Sequence, residues 1–194
     1  MPSYLYNDPR AVFVRVPKTA STSITRSLWD RKPIAGVFGS IPGAWLGMKS
    51  FAFVRHPVDR VLSVIRMFSV HKTARTPHEI LFRQTISIES VCRIVANDAI
   101  PPSKANYLDL LKLHALPATH AHFGLDRVDK VYRFEDLSGA WLDLCDWLEV
   151  PRRPLQHLKT YENGLTVTPS IEELELIHAT YCSDFEAFGY DLRR

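Results

Sequence analysis

The sequence predicts an α/β fold built on a mostly parallel sheet. Three observations predict it. A short β-rich segment, a polar turn and an amphipathic helix follow one another twice within about the first 70 residues. Strand-turn-helix units of this kind assemble into parallel sheets, and ligands then sit beyond the carboxyl ends of the strands. The chain has 194 residues, 46% of them hydrophobic and 23% charged, which is enough for one soluble domain with a real core.

The elements follow in order. Residues 11–16 (AVFVRV) are β-rich and bounded by Pro17, and read as a strand. Ser21 or Thr22 suits a helix N-cap, with Ile24 and Leu28 at i, i+4 spacing behind it. Residues 31–50 carry Pro33, Gly36, Gly39, Pro42, Gly43 and Gly47 and read as a long loop with room for one helical turn. Phe51 to Val54 is a second strand, ending at Arg55-His56-Pro57. Pro57 fits a first helical turn, and Val58, Val61, Leu62, Ile65 and Phe68 recur on one face behind it. The stretch 77–115 reads as helical, broken at Pro101-Pro102. Residues 128–132 read as a strand, and Glu135 to Leu148 as an amphipathic helix stopped near Pro151. The last helix, 170–188, opens with Ser170 and Glu173 at capping-box spacing. No repeat, low-complexity tract or linker interrupts the chain, so a single domain over 1–194 is expected.

Bulk properties narrow the partners. A net charge of +3 without a Lys/Arg block fits a small anionic ligand and disfavours nucleic acid. Cys92, Cys145 and Cys182 are far apart and odd in number, which argues for free thiols in a reducing compartment. The first ten residues lack the apolar core of a signal peptide, and no apolar run approaches the ~20 residues of a membrane span. A cytoplasmic protein without a membrane span is expected.

Chemistry concentrates at the two strand-to-helix turns. The first, Pro17-Lys18-Thr19-Ala20-Ser21-Thr22-Ser23, sets a lysine and four hydroxyls at a helix opening. Unpaired amides and the positive end of the helix dipole favour an anion there. No glycine precedes Lys18 in this turn, so it is not a Walker A loop. A P-loop kinase is the weaker alternative. The second turn reads Arg55-His56-Pro57-Val58-Asp59-Arg60-Val61-Leu62-Ser63.

Together the two turns resemble the motifs of the PAPS-dependent sulfotransferases, in particular the carbohydrate sulfotransferase branch. In that family a PKTGGTS-like loop binds the donor's 5′-phosphosulfate, and R-x-P-x-x-R-x-x-S binds its 3′-phosphate. Ala20-Ser21 replaces Gly-Gly in the first motif; Arg55, Pro57, Arg60 and Ser63 match the second throughout. VYRFEDL at 131–137 and YCSDFEAFGY at 181–190 resemble later landmarks, so the resemblance spans about residues 11–190. It implies a three-layer P-loop NTPase-like fold, with the sheet flanked by helices, and sulfuryl transfer from PAPS to an acceptor hydroxyl or amine, with carbohydrate the acceptor class that the branch suggests. It also implies the site residues: Lys18, Thr19, Ala20, Ser21, Thr22 and Ser23 around the phosphosulfate, and Arg55 and Ser63 on the 3′-phosphate. No metal is expected, because Lys18 can stabilise the leaving oxygen. Arg60 is equally suited to a structural ion pair.

The chain's main departure from the family lies between the two motifs. The usual histidine base lies in a G-H-x-P stretch, and here Gly39-Ser40-Ile41-Pro42 puts Ser40 in its place. No histidine occurs between Lys18 and Arg55. His120 and His122 are the replacement candidates; if 117–123 were a strand, both would face one way. Their H-x-H spacing also fits a metal, but no third ligand has a recognisable spacing. Glu135 and Asp136 are acidic alternatives, with helix capping the simpler role. His56 is expected only to shape its turn. A nucleotide-binding module without turnover is the competing reading. Trp29, Phe38 and Trp45 flank the Gly/Pro loop and could stack on an acceptor.

Overall fold

The computed structural model describes residues 3–29, 32–37, 39–156 and 164–191. Phe38 and His157 lie outside them. The fold is mixed α/β, with one five-stranded sheet and seven α-helices among the described residues. The chain packs as two compact units, Met1–Arg55 with Ala118–Lys159, and His56–Pro117 with Thr160–Arg194.

The first unit holds the sheet. Its strands are β1 (Ser3–Asn7), β2 (Arg10–Val14), β3 (Ala35–Val37), β4 (Ser50–Val54) and β5 (Lys130–Arg133), in the order β3-β1-β2-β4-β5. β2, β4 and β5 are parallel, and β1 is antiparallel to both its neighbours, so only β1 is reversed. Helices α1 (Ser21–Leu28) and α6 (Leu137–Leu148) belong to this unit. Alternation along β2 and β4 puts Phe13, Phe51 and Phe53 into one cluster with Ile24, Trp29, Trp141 and Leu144. The intervening Val12, Val14, Ala52 and Val54 are buried too, as in a sheet with both faces covered.

The second unit is helical: α2 (Pro57–Phe68), α3 (Pro77–Gln84), α4 (Ile88–Ala96), α5 (Tyr107–Ala115) and α7 (Ile171–Phe188). Val61, Ile65, Phe68, Val91, Leu111 and Ile177 share its core. Arg60 is buried in an ion pair with Asp184 at 3.3 Å, and its guanidinium faces the Tyr181 ring at 5.4 Å. The structural role open to Arg60 is the one it plays. His56 is also buried. Its Nε2 lies 2.9 Å from the Asp191 carbonyl and its ring packs edge-on against Phe185 and Tyr190, so the YCSDFEAFGY segment braces the opening of α2.

Several elements differ from the sequence reading. Residues 3–7 form β1, because Ser-Tyr-Leu-Tyr-Asn buries three side chains while scoring as polar. The two-residue Asp8-Pro9 turn joins it to β2. The 31–50 loop contains the short edge strand β3 as well as a 3-10 turn at Gly43–Trp45. Helix α1 begins at Ser21 with Ala20, not Ser21 or Thr22, at its N-cap. The strand reading of 117–123 is overturned: these residues form turns, and 3-10 geometry follows at Leu125–Arg127. Gly124, in the left-handed region at φ +60°, ends any extended path there.

Candidate functional site

Three parallel strands end side by side, and the residues after them form the site. After β2 the chain enters the Lys18 turn. Lys18 (φ 69°) and Ala20 (φ 58°) both adopt the left-handed region. A side chain there costs about 1–2 kcal/mol per residue, a cost the surrounding structure offsets. Thr19 is fully buried, and its Oγ1 donates to the Val16 carbonyl at 2.8 Å. That hydroxyl fixes the turn and can act on a ligand only through the turn's shape. Ser21 and Thr22 are half-buried at the first turn of α1, and Ser23 is buried behind them.

The openings of the helices separate into two kinds. Helices α3, α4, α5, α6 and α7 each have a side-chain N-cap, from Thr76, Ser87, Asn106, Asp136 and Ser170 respectively. Helices α1 and α2 have none. These are the two helices that follow the motif-bearing strands. An Ala N-cap offers no acceptor for the first-turn amides, so a bound anion can take that role.

Arg55 follows β4 directly. Its Nη1 donates to the Lys18 carbonyl at 3.4 Å, and its guanidinium stacks over the Phe134 ring at 4.4 Å from the centroid. It therefore lies between the turns that follow β2 and β5, its charge set over the aromatic face. Phe134 lies within the VYRFEDL stretch but had no role in the sequence reading; its position one residue past a parallel strand is the signal that could have found it. Asp136 caps α6 through the Gly139 amide, as the simpler reading had it, and Glu135 beside it is exposed. Ser63 lies on α2 in the second unit, half-buried.

The Gly39-Ser40 loop reaches the same edge because β1 is reversed. Ser3 pairs with Val14 and with Val37, and its Oγ donates to the Gly39 carbonyl at 2.9 Å. Ser40 in turn meets the turn that carries His120 and His122. A Cβ on Gly124 would stand 2.3 Å from the Ser40 Cβ, and Arg127 Nη1 donates to the Ile41 carbonyl at 3.4 Å. His120 is exposed and accepts the His122 amide on Nδ1 at 3.0 Å. His122 is half-buried, and burial, reinforced by His120, holds its pKa down at about 4. Among the described residues no cluster of three or more His, Cys, Asp or Glu could hold a metal ion.

The aromatic candidates fare unevenly. Trp29 is a core residue, stacked on Tyr6 at 3.8 Å, with its Nε1 donating to the Pro9 carbonyl. It lines a cavity of about 450 Å³ with Asp8, Lys32 and Arg153, at the β1–β2 turn and so at the opposite end of the sheet from Lys18. Trp45 is half-buried on the 3-10 turn. No described helix is long and apolar enough to cross a membrane. Cys92 and Cys145 are buried free thiols, while Cys182 is exposed.

The chain matches no protein-family model, no curated protein and no solved structure.

Proposed function

We propose that the carboxyl edge of the sheet binds the sulfuryl donor PAPS and that the chain transfers its sulfuryl group to an acceptor hydroxyl or amine. The observation that carries this reading is the opening of α1: a strained, uncapped helix start carrying Lys18 and the half-buried Ser21 and Thr22, with Arg55 anchored beside it. An uncapped N-terminus stabilises an anion through backbone amides. Lys18 adds a mobile charge for the oxygen from which sulfur departs. Arg55, set over the Phe134 ring, suits the two-oxygen grip of a phosphate. The chemistry needs positioning and charge stabilisation rather than a covalent intermediate. The three-layer P-loop NTPase-like architecture is the fold that accompanies this reading.

Calorimetry with adenosine 3′,5′-bisphosphate tests it. Micromolar binding that is lost in Lys18→Ala and Arg55→Ala is the expected result. No binding, or variants that bind like the parent, would sink the reading. ATP with magnesium in place of the bisphosphate would point to a kinase. Ser40 supports a second reading, a bisphosphate-binding module without turnover; binding with no sulfate release on any acceptor, water included, is its signature.

A further inference from the structure

We propose that the cavity at the β1–β2 turn is a second ligand site, one that takes a small organic monoanion with an apolar body. The cavity holds about 450 Å³, within the usual range for a small-molecule site. Its walls come from three segments of the first unit: the β1–β2 turn, the end of α1 running on toward β3, and the residues that follow α6. The length of β2, roughly 15 Å, separates it from the Lys18 turn, so it is no part of the donor site.

Hydrogen bonds hold these walls in place before any ligand arrives. Trp29 Nε1 donates to the Pro9 carbonyl at 3.0 Å, the Ile34 amide to the Leu5 carbonyl at 2.9 Å, and Trp141 Nε1 to the Arg153 carbonyl at 2.7 Å. The Gln156 amide donates to Ser27 Oγ at 2.9 Å and ties the third segment to α1. A site built in advance spares its ligand the cost of ordering it.

The side chains that line the cavity define the ligand. Leu28, Ile34, Val150 and Pro151 give apolar surface, and Ile34 is 60% exposed. Asp8, Lys32 and Arg153 bring charge. Among the described residues none of these three forms an ion pair, whereas the neighbouring Arg152 is paired with Asp146. Two cations against one carboxylate leave the lining one positive charge, and a monoanion balances it. Asp8 and the carbonyl end of α1 oppose a second negative charge. The Arg153 guanidinium presents the planar fork that grips both oxygens of a carboxylate. The ligand class is therefore an aromatic or branched aliphatic carboxylic acid, and a multiply charged nucleotide does not fit.

Anilinonaphthalenesulfonate, an aromatic monoanion that fluoresces in apolar surroundings, is the probe. Phenylnaphthylamine is its uncharged counterpart. The dye should bind once per chain, with a Kd of about 10–100 μM, and naphthoate should displace it. The uncharged counterpart should bind about fivefold more weakly or worse. The double variant Lys32→Ala/Arg153→Ala should lose about tenfold in affinity. Ile34→Asp, a change at an exposed position that leaves the fold intact, should lose about as much. Asp8→Asn should tighten binding about twofold. Lys18→Ala should bind the dye as the parent does, so the outcome does not depend on the donor reading. An absence of dye binding overturns the inference, as does parental affinity in the Lys32/Arg153 and Ile34 variants. Equal affinity for the uncharged dye, or a bound dye that naphthoate does not displace, also overturns it. A loss in Lys18→Ala would seat the dye at the other end of the sheet and overturn it as well.

Discussion

Helices α1 and α6 belong to the same unit, and each begins just past a parallel strand of the one sheet, yet they open in opposite ways. At α6 the strand β5 runs through a 3-10 turn into Asp136, which accepts the Gly139 amide. The carboxylate occupies the place an anion would take, and a Cβ on Gly139 would lie 2.7 Å from its Oδ2. At α1 the corresponding residue is Ala20, with no acceptor and a left-handed backbone. One helix supplies its own anion. The other leaves the place open and carries the strain of two residues that glycine would relieve. Closing a helix opening adds about 1 kcal/mol of stability, a contribution that α6 has from Asp136 and α1 lacks at Ala20.

Four predictions break or sharpen the contrast. The largest effect belongs to Lys18→Ala: sulfate release from PAPS should fall about 100- to 1,000-fold in single-turnover assays. Next is Gly124→Ala, which forces a side chain into the Ser40 Cβ and into a left-handed backbone. It should cost about 2 kcal/mol or more, read from urea midpoints. Third, Ala20→Asp places at α1 the charge that α6 already has. Bisphosphate affinity should drop about tenfold with the fold intact, whereas Asp136→Ala should lose about 1 kcal/mol of stability and leave affinity unchanged. Equal effects of these two variants on affinity would erase the distinction.

The smallest effect concerns a closed opening in the second unit. Glu79 accepts the amides of Arg75, Thr76 and Tyr107, and those bonds hold its carboxyl down at about 2. An acid whose folded pKa is lowered contributes stability that is complete above its ordinary pKa of about 4.5 and lost as pH falls toward 2. Denaturation midpoints of the parent and Glu79→Gln should therefore differ at pH 6 and converge by about pH 2.

Much of this was legible in the residues. Pro57 marked the start of α2, the Ser170/Glu173 spacing marked α7, and the helical stretch broke near Pro101-Pro102 as its prolines require. The Lys18 turn and Arg55 were legible because strand-to-helix transitions leave a local trace in composition. The unread features depend on contacts between distant residues. β1 is stabilised by pairing with β2 and β3, not by its own hydropathy. Arg55 reaches Phe134 across 79 positions, and Ser40 meets Gly124 across 84. The H-x-H spacing was visible, but its placement as a turn rather than a strand rests on Gly124 and its neighbour in space.

That neighbour has an evolutionary consequence. Ser40 and Gly124 fill one small volume, so their sizes are not independent. Lineages related to this chain should show the two sites changing together, with a bulkier residue at the first tolerated only while the second remains glycine. A larger side chain at position 40 fits opposite Gly124 only by pointing away from that turn.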